Sequence, residues 1–265
     1  LREAIHVGDI DVVYQPQVDH FGHIVGVEAL CRWTHPTRGP VSPAYFIPLA
    51  EECGLMNELG TLIMRRAMQD SHRWPGLKVA VNVSATQMRN PGFLATIKGL
   101  LSETKTTAEQ IEIEITEGVL LNDDNTTQMV LRDLRHMGFT IALDDFGTGY
   151  SSLGYLSRYP VDKIKIDRSF VSNLGVDPEA EAVIRAIVKL SKALNLNIVA
   201  EGVETRAQKN ILRQTGCNII QGYLFSKPVA SGAIDEMMKN ERKLAIIDEE
   251  GYAAPKAIKM TPRMS

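Results

Sequence analysis

Eight short strand-like segments, near residues 12–18, 24–31, 78–83, 111–116, 139–143, 161–166, 196–200 and 218–221, are spread along this chain with helical patterns between most of them. The helical patterns fall near residues 43–53, 58–73, 91–103, 123–137, 151–158, 179–194, 205–214 and 231–239. Repeating βα units imply parallel strands, and about eight such units close a barrel. One link breaks the rule. Asp19-His20-Phe21-Gly22-His23 is too short for a crossover helix, so the first two strands should form an antiparallel hairpin. The expected fold is therefore α/β, a modified (β/α)8 TIM-type barrel with one antiparallel strand near the N-terminus. Residues 1–240 are expected to form it, and residues 241–265 lose periodicity and read as a tail or linker.

Several strands end in polar residues. Ile141-Ala142-Leu143 runs into Asp144-Asp145 and the glycine-punctuated Phe146-Gly147-Thr148-Gly149, and Ile111 to Thr116 leads into Glu117. Asn82, Lys165, Glu201 and Gln221 stand at or near the ends of other strands. Strand alternation turns Glu112, Glu114 and Thr116 to the barrel axis while Ile111, Ile113 and Ile115 face the helices, and by the same parity Asp144 and Lys165 point inward. Active sites of such barrels lie at the C-terminal strand ends, which gathers Glu28, Asn82, Glu114, Asp144, Asp145 and Glu201. Two unit charges roughly 4 Å apart repel by about 4 kcal/mol at an effective dielectric of about 20, so these carboxylates need cations to stay ionised. Lys165 alone does not balance them. An oxygen-rich set without a His or Cys cluster favours Mg²⁺ or Mn²⁺ over zinc.

Composition narrows the class. A chain of 265 residues, 44% hydrophobic and 23% charged, is long enough to bury a substantial core. Its net charge of -3 argues against nonspecific DNA binding, which needs broad basic surface. Cys31, Cys53 and Cys217 lack zinc or disulfide spacing, which favours a reducing compartment and a cytoplasmic location. No apolar run approaches the roughly 18 residues of a membrane span, and no signal-peptide pattern opens the chain. The Leu1-Arg2-Glu3-Ala4-Ile5 opening reads as a domain cut from a longer protein, with room upstream for a sensor or membrane anchor.

Seven motifs then occur in a telling order: Glu28-Ala29-Leu30 with Arg32-Trp33, Asn82-Val83-Ser84, Glu114-Ile115-Thr116-Glu117, Asp144-Asp145-Phe146-Gly147-Thr148-Gly149, Lys165-Ile166-Asp167, Glu201-Gly202-Val203-Glu204 and Gln221-Gly222-Tyr223. The chain resembles EAL domains over about residues 1 to 238. The resemblance implies a phosphodiesterase that opens cyclic di-GMP to linear pGpG with two Mg²⁺ or Mn²⁺ ions. By that resemblance Glu28, Asn82, Glu114 and Asp144 hold one ion, while Asp144, Asp145 and, directly or through water, Glu201 hold the other. Lys165 would orient the water or neutralise developing charge and Glu201 is the favoured base; which of the two takes the proton stays open. Gln15, Leu30, Arg32, Asp167, Glu204 and Gln221 are the implied substrate contacts, and Glu117 steadies the loop from Asp145 to Ser152. A homodimer and an upstream sensory or GGDEF domain are the implied partners.

Each residue also has a blander reading. A lone strand-end acid is usually a helix cap or solvated turn residue, Lys165 could be a barrel ion pair, and Gln15 and Gln221 could simply close the barrel rim. Parity places Glu112 and Lys163 lower in the barrel, as structural groups. His20 and His23 lack a third ligand, and Met56, Met64 and Met68 read as core. The alternative function is a catalytically silent cyclic di-GMP receptor or interaction module. Gly118 departs from the family, where a small hydroxyl residue is usual.

Overall fold

Asp19 makes the reversal that sets the topology: its Oδ1 accepts from Phe21 N and His23 N, each at 2.8 Å. Gly22 takes the left-handed φ of 90° that this tight turn requires. Strands β1 (Ile10–Asp19) and β2 (Ile24–His35) therefore pair antiparallel, with Gln15 opposite Glu28. A short β3 (Gly39–Val41) then pairs antiparallel with the far end of β2. The remaining strands are β4 (Lys78–Asn82), β5 (Ile111–Thr116), β6 (Thr140–Phe146), β7 (Lys163–Ile166), β8 (Asn197–Ala200) and β9 (Ile219–Gln221). Their order is β1-β9-β8-β7-β6-β5-β4-β2, and the β1–β2 pairing closes the ring. Strand β1 is antiparallel to both its neighbours, β2 and β9, and every other ring pairing is parallel.

The computed structural model describes residues 1–121, 125–148, 156, 158–239 and 243–246. Most of the expected helix near 151–158 and the turn residues Gly149, Tyr150, Ser151 and Ser152 lie outside the described residues, as does most of the expected tail. Of that tail, Leu244 N donates to Gly22 O at 2.8 Å and Lys243 bridges to His23. The eight ring strands match the expected modified barrel. The sequence reading lacked β3 and the short helices Ala85–Met88, Glu117–Leu121 and Arg168–Ser172. Segments of three to five residues carry too few repeats for a period to show.

Alternation decides where the core lies. Ile111, Ile113 and Ile115 are buried between sheet and helices with Ile141, Leu143, Ile164 and Ile166, in one apolar layer around the barrel. The helices reach it with Met64 and Met68, and Met56 packs in a second cluster. That second cluster, with Ile10, Trp33, Phe46 and Leu59, covers the ends of β1 and β2 beyond the ring. Local chemistry fixes the helix starts: Pro43 follows the Ser42 cap, Asp177 caps Pro178–Ala193, and Thr205 with Gln208 forms a capping box. With the apolar face outward, the interior of the barrel is left to polar side chains. No helix among the described residues is long and apolar enough to cross a membrane.

Candidate functional site

Polar groups fill the barrel in layers. In the lower one Lys163 Nζ meets Glu112 at 2.7 Å, as parity indicated for a structural pair. Two residues further along the same strands stand Glu114 and Lys165, both fully buried. Lys165 Nζ lies 2.7 Å from Glu201 Oε1, 2.9 Å from Glu114 Oε2, 3.1 Å from Asp144 Oδ1 and 3.6 Å from Glu28 Oε2. The three shortest are of charge-assisted length, and hydrogen bonding from Lys165 helps to pull down the pKa of Asp144 and Glu201. One ammonium thus faces four carboxylates. Burial alone would lower the Lys165 pKa, but the charges of Glu114, Glu201, Glu28 and Asp144 carry it well above the ordinary lysine range.

The acids are unequal. Glu28 Oε1 accepts from Asn82 Nδ2 at 2.9 Å and Oε2 accepts from Gln221 Nε2 at 2.5 Å. Burial pushes its pKa up, yet the Lys165 charge and these two amides outweigh it and hold the carboxyl below its ordinary value. Among the described residues no amide or hydroxyl donates to Glu114, and burial with the neighbouring Glu28 charge pushes it well up. Asp144 is raised by burial against the pull of Lys165. Burial, again opposed by Lys165, pushes Glu201 up to about 8, and burial with the Asp144 charge pushes Asp145 up to about 6. A deep carboxylate without such donors is costly unless something else satisfies it.

Backbone geometry brings the adjacent pair together. Successive strand residues face opposite sides, so Asp145 should point away from Asp144. Asp145 instead takes φ 53°, and the β6–β7 register shifts between Leu143 and Phe146. Aspartate tolerates this left-handed region at modest cost. Oxygens of Asp144, Asp145 and Glu201 consequently lie within 4.8 Å of one another, as do those of Glu28, Glu114 and Asp144, with Asp144 in both groups. Two oxygen clusters sharing one carboxylate, one containing a buried carboxylate without amide or hydroxyl donors among the described residues, fit divalent cations that prefer oxygen ligands. Glu201 is held in register by its backbone N, which donates to Ile166 O at 3.1 Å.

A cleft of about 470 Å³ opens beside this cage, lined by Gln15, Glu28, Leu30, Glu201, Glu204 and Gln221 among others. Gln221 Nε2 also donates to Gln15 Oε1 at 3.2 Å, and Gln15 Nε2 donates to Ser226 O at 3.1 Å. The two amides therefore both close the rim and face the cleft. Arg32 and Asp167 are not among the described lining residues. Arg32 Nη1 donates to Cys31 O at 2.8 Å, and Asp167 caps the helix Arg168–Ser172 by accepting from Ser169 N at 3.0 Å. Glu117 reaches the turn after Asp145, where its Oε1 accepts from Gly147 N at 2.9 Å. Gly147 has φ 99°, and a Cβ there would meet the Phe170 ring at 2.8 Å.

The cleft also takes in Arg168, Ser172, Gln208 and Tyr223, which the sequence reading left unassigned. Arg168 directly follows the Lys165-Ile166-Asp167 motif and Tyr223 closes the Gln221-Gly222-Tyr223 motif, a signal that was available. Ser172 and Gln208 sit on helices and had none.

Comparison with known proteins matches residues 1–228 to the family described as EAL domain. The "Bifunctional diguanylate cyclase/cyclic di-GMP phosphodiesterase MucR" of Pseudomonas aeruginosa is 40% identical over 235 residues, covering 86% of this chain and 34% of that protein. The "Cyclic di-GMP phosphodiesterase PdeR" of Escherichia coli is 37% identical over 249 residues, 92% of this chain and 38% of that protein. The chain thus spans little more than a third of either relative. A solved structure titled "PaMucR Phosphodiesterase, c-di-GMP complex" superposes with a TM-score of 0.84 at 38% identity, covering 88% of this chain and 97% of that one. Ordered motifs, barrel topology and the match across residues 1–228 agree, and this chain belongs to the EAL domain family.

Proposed function

We propose that this chain is a metal-dependent phosphodiesterase that hydrolyses cyclic di-GMP to linear pGpG. The observation that carries the reading is the cage of Glu28, Glu114, Asp144, Asp145 and Glu201 around Lys165, with two oxygen clusters joined at Asp144 beside an open cleft. The names of MucR and PdeR support the substrate. Glu28, Asn82, Glu114 and Asp144 would hold one Mg²⁺ or Mn²⁺, and Asp144, Asp145 and, directly or through water, Glu201 a second. Such a pair of ions supplies water activation and charge neutralisation for in-line displacement at phosphorus.

The chain's own groups divide the remaining work. Glu201, whose proton affinity burial raises, takes the proton of the attacking water at a carboxylate oxygen. Lys165 is held as an ammonium by its surroundings, so it faces developing negative charge rather than serving as the base. The water oxygen bonds to phosphorus, the bond from phosphorus to the ribose 3′ oxygen breaks, and that oxygen takes a proton from solvent to leave as a hydroxyl, while Glu201 returns the water's proton to solvent. Gln15, Leu30, Glu204 and Gln221 contact the dinucleotide from the cleft. Arg32 offers a phosphate a charge-assisted fork, and Asp167 is taken as a further polar contact to the substrate. Glu117 steadies the Asp145–Thr148 turn through Gly147.

The same reading takes residues 1–240 as the barrel unit and 241–265 as a tail or linker, in a cytoplasmic homodimer with an upstream sensory or GGDEF domain. MucR, whose name joins a cyclase to a phosphodiesterase, supports the last point. Incubating the purified chain with cyclic di-GMP, with Mn²⁺ or Mg²⁺ or with a chelator, and separating the nucleotides tests the activity. Multiple equivalents of pGpG per chain with ions, and none with chelator, are expected. Cyclic di-GMP bound but recovered intact would make this a receptor, and neither binding nor turnover would end the cyclic di-GMP reading.

A further inference from the structure

Lys165 stands where the carboxylates converge. Its Nζ is 2.9 Å from Glu114, 3.1 Å from Asp144 and 3.6 Å from Glu28, and oxygens of those same three residues lie within 4.8 Å of one another. The side chain is fully buried, and its ammonium is shared among these acids and Glu201. An ammonium shared among four carboxylates stands much as a small cation would. Lys163, two residues earlier on β7, makes the contrasting arrangement, a hydrogen-bonded pair with the single acid Glu112. Among the described residues no amide or hydroxyl donates to Glu114, so Lys165 and an incoming ion meet the same oxygens.

We propose that Lys165 is the resident counter-cation of the metal-free cage and competes with the first divalent ion for the oxygens of Glu28, Glu114 and Asp144. Ion entry moves Nζ off these three residues and onto Glu201, its nearest partner at 2.7 Å. Lys165 therefore holds the acids together when the cage is empty of metal and sets the ion concentration at which it fills. This inference rests on the cage being a metal site, as proposed above. Removing a positive charge from beside an incoming divalent ion should tighten its binding by roughly tenfold or more.

Mn²⁺ titration calorimetry on the full chain and on Lys165→Met, with melts in Mn²⁺ and in chelator, tests this. The variant is expected to bind its first ion roughly tenfold tighter, to melt lower than wild type in chelator, and to gain more from Mn²⁺. Equal or weaker binding by the variant, while wild type binds, overturns the competition and leaves the metal site standing. No Mn²⁺ uptake by wild type overturns both. A variant that folds only with Mn²⁺ supports the proposal, and one that folds in neither condition contradicts it, since the ion should replace the lost charge. In wild type, the lysine ¹⁵Nζ resonance of Lys165 should shift as Mg²⁺ is added, and an unchanged resonance would also overturn it.

Discussion

Glu28→Ala is expected to lower cyclic di-GMP turnover by about 10³-fold or more, the effect of several kcal/mol of lost cation-borne stabilisation. Glu28 supplies one oxygen cluster with a carboxylate that its surroundings keep ionised. It is also the acceptor for Asn82 and Gln221, so its removal strands two amides, one of which links to Gln15 at the rim of the cleft. Turnover measured by nucleotide chromatography, with circular dichroism to show that the barrel is intact, reads the effect. A folded variant within tenfold of wild type would mean that the first oxygen cluster is not where the chemistry happens.

Glu201→Gln is expected to leave the fold and nucleotide binding in place while cutting turnover by about 10²–10⁴-fold, the usual worth of a positioned general base. Glutamine keeps the length and an oxygen, and the backbone anchor of residue 201 to Ile166 is untouched. What disappears is the proton acceptor, together with one of the charges on Lys165 and one anionic oxygen of the second cluster, while the amide oxygen stays available to the ion. The variant should therefore behave as a cyclic di-GMP binder, with its dissociation constant close to that of wild type by titration calorimetry. A turnover rate within a few fold of wild type would remove Glu201 from the base role, while lost binding would make it a substrate or ion holder only.

The run Ile-Glu-Ile-Glu-Ile at residues 111–115 is why so much of the fold could be read from sequence. Its strict alternation declares a strand with apolar contacts on one side and charge on the other, and the structure seats it that way. The five-residue hairpin link likewise dictated the antiparallel β1. Asp145 is the contrary case. Alternation sends it away from Asp144, and only a left-handed backbone with a shifted register returns it to the cage. Such a conformation leaves no period in the sequence, and what placed Asp145 among the acids was its position beside Asp144 at a strand end. Ser172 and Gln208 were not legible because their position in the cleft depends on how helices dock over the strand ends. The pairing of β3 with β2 was missed because three residues show no alternation.

The amides at the rim show the limit of residue-type reasoning. Gln15 and Gln221 could close the barrel or face a ligand, and they hydrogen-bond each other while lining the cleft, so one alternative did not exclude the other. Sequence supplies the donors and acceptors, and only their packing decides how many partners each reaches.

An anomalous difference map from crystals of the chain grown with Mn²⁺ tests the cage most directly. One peak is expected among Glu28, Asn82, Glu114 and Asp144 and a second among Asp144, Asp145 and Glu201. Manganese-soaked crystals with no peak between Glu28, Glu114 and Asp144, from protein that turns over cyclic di-GMP, would contradict that placement.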